Sequence, residues 1–306
     1  MHFRFLAKAF LLAVALGLAA FYVLTMPSAT APGSLPPRTA DLGNGKTMFH
    51  IGGCASCHAT PGQDDKQRLG GGLALATPFG TFKAPNISSD ARFGLGAWPE
   101  EAFVDAMLRG VGRKGEHLYP AFPYTSYQRM PAGDVRDLFA YLKTLPADSR
   151  PSEPHDLPFP FNVRRGVGLW KLIYLDGKTF APDPAKSAEL NRGAYLVEGP
   201  GHCAECHSPR DVFGGIVEGK RFAGGIDAEG KEWVPNITPH ADGIADWSEA
   251  TIVLLLETGL TPTFGRVGST MADVVANTAK LAPEDRAAMA VYLKSLPPRP
   301  GKAPKK

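Results

Sequence analysis

Cys-x-x-Cys-His occurs twice in this chain of 306 residues, as Cys54-Ala55-Ser56-Cys57-His58 and as Cys203-Ala204-Glu205-Cys206-His207, and the two copies use all four cysteines. This order of residues is that of covalent c-type haem attachment: two cysteines add to the porphyrin vinyl groups, and the histidine that follows becomes the proximal iron ligand. A Cys-x-x-Cys pair alone also suits a thioredoxin-like redox pair, half of a zinc site or part of a disulfide framework. A thioredoxin pair needs no histidine after its second cysteine. A four-cysteine zinc site would have to join pairs 149 residues apart, far outside ribbon spacings, and would leave both histidines accidental. Two covalently bound haem c groups are therefore the expected cofactors, held by Cys54, Cys57 and His58 and by Cys203, Cys206 and His207.

The two halves match beyond the motif. Pro85-Asn86-Ile87-Ser88 recurs as Pro235-Asn236-Ile237-Thr238, the turn at Trp98 recurs at Trp247, and Tyr141-Leu142-Lys143 recurs as Tyr292-Leu293-Lys294. With the cysteines, the four offsets are 149, 150, 149 and 151 residues. Landmarks in such constant register mark a duplicated unit of about 110 residues. Each copy reads as helical. A short helix leads into each motif (45–51 and 193–198). A middle helix follows each tryptophan (99–108 and 248–258), with Pro99 as a first helical residue and Ser248 as an N-cap. A last helix (134–145 and 283–296) carries Val135, Leu138, Phe139 and Leu142 on one face in the first copy, and ends at a proline. Few segments alternate like strands. The class expected is all-α: two tandem class I cytochrome c domains at 41–148 and 190–298.

Between them, 149–189 contains Phe159, Phe161, Leu169, Trp170 and Tyr174, too many large apolar side chains for a solvated linker. It is expected to be an ordered strap packed on both domains. At the start, Arg4 and Lys8 precede an apolar run of 16 residues, Ala9 to Leu24. About 20 residues are needed to cross a bilayer, and Phe5 and Leu6 extend the run toward that length. A cleaved signal peptide, ending at Ala29-Thr30-Ala31, competes with a retained anchor over residues 9–26, which is the preferred expectation. Either places the globular part on the periplasmic side, where c-type haem is normally attached. Residues 1–27 are thus anchor or signal, 28–40 a flexible tether, and 299–306 a basic, solvated tail. The net charge of +3, from 33 Lys and Arg against 30 Asp and Glu, argues against a nucleic-acid partner.

The sixth iron ligands are less evident. For the second haem the candidate is Met271, expected in the loop before the last helix; Met289, inside that helix, reads as core. For the first haem Met130 is preferred, with His117 and an open site as alternatives, and mid-helical Met107 as core. The repeat aligns Met130 with Leu281, a place that commonly holds the apolar residue before a helix cap. The Pro85 and Pro235 carbonyls are candidate acceptors for the second ring nitrogens of His58 and His207. Trp98 and Trp247 read equally as haem-edge or core residues. His202 and Arg210 flank the second motif and read as surface residues, with a place beside a haem propionate as the alternative, and His50, His155 and His240 carry no assigned role.

The segments His202 to Arg210 and His117-Leu118-Tyr119-Pro120-Ala121-Phe122-Pro123-Tyr124, with the two Pro-Asn-Ile segments and the tryptophan turns, resemble the cytochrome c subunits of membrane-bound alcohol, gluconate and related dehydrogenases of proteobacteria. The resemblance runs from about Asp41 to Pro297. Its best-known members carry three haems, and relatives often have methionine where this chain has Phe122. The resemblance implies a periplasmic dehydrogenase as electron donor and a quinone, an oxidase or another cytochrome as acceptor. A dihaem enzyme, a peroxidase or thiosulfate dehydrogenase, is the competing expectation, because it needs one iron with a displaceable ligand.

Overall fold

The computed structural model describes residues 2–303; the last three residues of the tail lie outside it. In chain order the helices are α1 (His2–Leu24), α2 (Leu42–Ile51), α3 (Cys54–His58), α4 (Glu100–Arg109), α5 (Tyr124–Tyr127), α6 (Ala132–Leu142), α7 (Val167–Tyr174), α8 (Ala188–Glu198), α9 (Ala204–His207), α10 (Glu249–Thr258), α11 (Ser269–Thr278) and α12 (Pro283–Ser295). Two small antiparallel hairpins, which the pattern of the sequence did not announce, interrupt them. One pairs β1 (Ala74–Thr77) with β2 (Gly80–Lys83), and the other pairs β3 (Gly225–Ile226) with β4 (Trp233–Val234). Both are too short to show an alternating pattern.

In each half the helix before the motif crosses the last helix, α2 on α6 and α8 on α12. Glycine permits the close approach. A Cβ on Gly45 would stand 2.2 Å from the Asp137 carbonyl oxygen, and one on Gly193 only 1.9 Å from that of Ala288. The middle helix of each half then packs on the last one, α4 on α6 and α10 on α12. Leu138, Phe139 and Leu142 are buried below this crossing, as are Met289 and Leu293 in the second half. Ser248 caps α10 as expected, accepting from the Thr251 N–H. Pro99 instead stands one residue earlier than expected, with extended backbone at the N-cap of α4.

The recurring Asn of Pro-Asn-Ile staples the chain that leaves each last helix. Asn86 Nδ2 donates to the Asp148 and Arg150 carbonyls at 2.7 Å, and Asn236 Nδ2 to the Arg299 carbonyl at 2.8 Å. The tail therefore starts as docked chain: Arg299 and Gly301 are partly buried, and their N–H groups find Thr238 Oγ1 and Asp242.

The tether differs from expectation, and the strap differs in part of its packing. The 28–40 stretch is not a free tether. Thr30 donates through its N–H and its hydroxyl to the buried Asp105, and Gly33 N–H donates to Glu101. Arg38 grips Asp137, with Nη2 to Oδ2 at 2.8 Å. Both aspartates are almost fully enclosed, and an enclosed carboxylate requires such partners. The strap packs as expected through the half-buried Trp170 and Tyr174, which reach Tyr124, the Phe213 carbonyl and Asp211, but also through residues the sequence did not suggest. Phe159 is 80% exposed, and Phe161 and Leu169 are exposed as well, while Val167, Gly168 and Lys171 are buried. Lys171 Nζ donates to the Arg109 and Gly110 carbonyls at 2.7 and 2.6 Å and meets His117 Nδ1 at 3.1 Å.

Candidate haem sites

Each motif forms a short helical turn, so its two cysteines lie three residues apart on one side and its histidine ends the turn. All four thiols are free of disulfides. Burial, more than any neighbouring charge, pushes the Cys54 and Cys203 thiols up to about 12. A redox-active pair needs a stabilised thiolate, so neither motif has thioredoxin-like character.

The histidines are set for a metal. His58 Nδ1 lies 2.8 Å from the Pro85 carbonyl oxygen and His207 Nδ1 lies 2.7 Å from that of Pro235, as the repeat suggested. A carbonyl only accepts, so Nδ1 carries the proton in both rings and Nε2 keeps its lone pair. Burial, opposed by these hydrogen bonds, holds both imidazoles below their usual range, which keeps them neutral at pH 7. A neutral, oriented imidazole beside two thiols on one turn fits the demands of covalent haem. Among the described residues no group of three or more His, Cys, Asp or Glu side chains comes together to hold a metal ion, so the donors fit a macrocycle rather than a tetrahedral site.

The candidate sixth ligands fall in different settings. Met271 lies in α11, half-buried, where the sequence suggested a loop. Met130 is 1% exposed and sits within the apolar core together with Leu281, its partner in the repeat. Backbone bridges give an independent register: Val111 pairs with His117 in the first half and Leu260 with Arg266 in the second. Five residues beyond each bridge stand Phe122 and Met271. Phe122 therefore has the register of Met271 along the chain, though it lies in the turn before α5 and not in a helix, packed at 5.4 Å between ring centroids against Tyr127. His117 has both ring nitrogens engaged, Nδ1 by Lys171 and Nε2 by the Thr25 carbonyl at 2.8 Å. Met107 and Met289 are buried on their helices, as expected of core residues, and Trp98 and Trp247 pack against the core.

Sequence reasoning missed how the two halves meet around the motifs. His202, read as surface, lies edge-on to the Tyr127 ring at 5.6 Å, and both side chains reach the Gly52 carbonyl at 3.3 Å. Within the motifs, Ser56 Oγ accepts from Asn277 Nδ2 at 3.0 Å, while Glu205 accepts from Ser126 Oγ at 2.7 Å and Thr125 Oγ1 at 2.8 Å. Ser56 and Glu205 are counterparts in the repeat, and so are Ser126 and Asn277. The contact is therefore reciprocal, the pattern of a two-fold interface built inside one chain. Arg210, also read as surface, pairs with Glu205. Burial would raise the Glu205 carboxyl, but the Arg210 charge and the hydroxyl donors outweigh it and hold it below the usual range. The only sequence trace of this contact was the motif itself.

Comparison with known proteins agrees with this chemistry. Residues 42–146 match the cytochrome c family. The chain is 45% identical over 276 residues to a diheme cytochrome c-type protein of Cereibacter sphaeroides, covering 90% of this chain and 92% of that one. It is 35% identical to the fructose dehydrogenase cytochrome subunit of Gluconobacter japonicus, over 92% of this chain and 57% of that protein. It is 36% identical to the cytochrome c subunit of a quinone-dependent alcohol dehydrogenase of Gluconacetobacter polyoxogenes, over 84% of this chain and 56% of that protein. The chain thus spans nearly all of the first relative and only a little over half of the other two. With the attachment motifs, the oriented histidines and this breadth of identity together, the chain belongs to the c-type cytochromes.

Proposed function

We propose that this chain is a dihaem electron carrier serving a periplasmic dehydrogenase, built as two tandem class I cytochrome c domains at 41–148 and 190–298. The observation that carries the reading is the reciprocal contact between the halves: Ser56 of one motif meets Asn277 and Glu205 of the other meets Ser126, so each motif is held against a helix of the opposite half. Electron transfer falls off steeply with distance, so two carriers gain by being held in fixed, close halves. Bound haem supplies a one-electron couple. The chain supplies the attachment thiols of Cys54, Cys57, Cys203 and Cys206 and the oriented imidazoles of His58 and His207. It also supplies Met271 as the sixth ligand of the second iron and Met130 as that of the first.

Similarity to dehydrogenase cytochrome subunits supports a dehydrogenase donor; the acceptor is a quinone, an oxidase or another cytochrome. Residues 9–26 are a retained anchor in the inner membrane, with the domains on its periplasmic face. Cleavage after Ala31 would remove Thr25 and Thr30, leaving His117 Nε2 and the Asp105 carboxylate without these partners. Mass spectrometry should find two haem additions per chain, and a purified partner dehydrogenase should reduce both in the presence of its substrate. One addition, or failure of every candidate donor, would overturn the reading.

A second reading rests on Phe122 at the register of Met271. If neither Met130 nor His117 binds the first iron, its sixth position is open, as a dihaem enzyme requires. Peroxide turnover with a reduced donor, or thiosulfate-dependent reduction of the haems, would establish that reading.

A further inference from the structure

The strap helix α7 carries an apolar stripe that nothing among the described residues covers. Leu169, Leu172 and Ile173 are 42%, 61% and 70% exposed, on the side opposite the buried Val167 and Lys171. Arg165, just before α7, stands four residues before Leu169 and seven before Leu172, so it lies on the same stripe. Exposed apolar side chains in singles are ordinary, but three on one helical face mark an interaction surface.

What this stripe faces is set by its neighbour. Arg165 Nη2 donates to the Tyr22 carbonyl at 2.7 Å, its guanidinium lies 4.6 Å from the centre of the Tyr22 ring, and its Nε donates to Thr25 Oγ1 at 2.8 Å. The stripe's own arginine thus holds the last turn of the apolar helix α1. Thr25, immediately beyond that helix, is completely buried, and a Cβ on Gly168 would stand 2.6 Å from the Thr25 Cβ. α1 and α7 are therefore locked to each other at that point.

α1 has a mean hydropathy of 2.1 over its most apolar window, and no part of that window is buried in the protein. If residues 9–26 cross the bilayer, Tyr22 falls at the outer interface, where amphipathic aromatic rings collect. The stripe that grips Tyr22 must then lie at the same depth. Its surroundings suit that position. Phe213 is exposed, and its backbone carbonyl accepts from the Trp170 indole of α7 at 2.9 Å. Arg113 and Lys114, also exposed, precede the Gly115 and Glu116 that share a small cleft with Arg164 and Arg165 beside Pro27. An apolar helical face flanked by cations is the composition of a helix that lies in a membrane interface.

We infer that α7 is a second, monotopic membrane contact, its Leu169, Leu172 and Ile173 set into the outer surface of the bilayer that α1 crosses. This rests on the retained-anchor reading. With one spanning helix and one interfacial helix joined rigidly at Thr25, the two attachment turns are held at a fixed tilt to the membrane instead of swinging on a tether.

The test uses the full-length holoprotein in nanodiscs of phosphatidylcholine and phosphatidylglycerol that contain a lipid with a diazirine near the acyl-chain head. After illumination, adducts are mapped by mass spectrometry. Adducts are expected on 2–24 and on 159–174, and the double variant Leu172→Glu, Ile173→Glu should lose those on 159–174 while keeping those on 2–24. Both positions are exposed, so haem absorbance and helicity should be unchanged in the variant. Adducts on 2–24 alone in the parent protein would overturn the inference and leave the anchor standing. If the variant then also failed to co-purify with a dehydrogenase, the stripe would be a protein-docking face. Recovery of a soluble chain lacking 2–24 would overturn the anchor and this inference together.

Discussion

Glu205, inside the second haem-attachment motif, accepts a hydrogen bond from Ser126 of the first half at 2.7 Å. Its counterpart Ser56 makes the mirrored contact with Asn277. The copies differ in strength, since Glu205 is charged, takes a second hydroxyl from Thr125, and is paired with Arg210.

Glu205→Ala should accordingly destabilise the holoprotein by about 2–3 kcal/mol, in the range of charge-assisted hydrogen bonds, and Ser56→Ala by about 1 kcal/mol. Denaturant unfolding followed at the haem absorbance measures both. Equal costs would show that the carboxylate adds nothing beyond its shape.

On the proposed ligation, replacing Met271 by Leu should remove a methionine–iron absorption from the oxidised protein and lower the potential of one haem, because a thioether ligand raises it. Met130→Leu should do the same for the other haem. A Met130→Leu spectrum identical to the parent would remove Met130 from the ligand set and favour the reading built on Phe122.

The Asp137 carboxyl tests the docked stretch before α2. Burial would raise it, but hydrogen bonds from Arg38 and Asn44 and from the Asp41 N–H prevail and hold it below 3.8. A carboxyl whose native value lies below its unfolded one contributes fully above the unfolded value, here 3.8. That contribution disappears as pH falls through the native value. Asp137→Asn should cost roughly 2–3 kcal/mol at neutral pH, and its difference from the parent should shrink below about pH 4. Parallel stability curves down to low pH would contradict this.

Gly193→Ala should be among the most damaging small changes in the chain. Its Cβ would meet the Ala288 carbonyl oxygen at 1.9 Å, and backbone cannot yield as a side-chain tip does. Forced separation of α8 from α12 should cost about 3 kcal/mol or more, at the upper end of overpacking. Gly45→Ala, at 2.2 Å from Asp137, should rank close behind. Thermal unfolding of the two variants provides the comparison, and a melting temperature unchanged in both would refute the crossing as described.

Much of the fold is legible in the chain because repetition is a property of sequence. The two motifs, the Pro-Asn-Ile segments and the final helices recur at nearly constant offset, and the His58 to Pro85 and His207 to Pro235 hydrogen bonds lie where that repetition suggested. Local signals failed where the deciding partner is remote. Stretch 28–40 has the composition of a tether, yet Asp105 and Asp137 bind it from helices 75 and 99 residues downstream of Thr30 and Arg38. Met271 follows a glycine and two small hydroxyl residues, weak helix signals, and the packing of α11 on α10 gives it helical backbone.

The sequence by itself carries the two Cys-x-x-Cys-His motifs, the repeated landmarks and the apolar first helix, since each is written in residue types at short or repeated spacing. Only the tertiary structure decided that Ser56 and Glu205 face Asn277 and Ser126, that Thr25 is locked between Arg165 and Gly168, and that Met271 lies on a helix. The reason is physical. A buried polar group takes whichever partner the folded chain brings within reach, and no local pattern records which one that is.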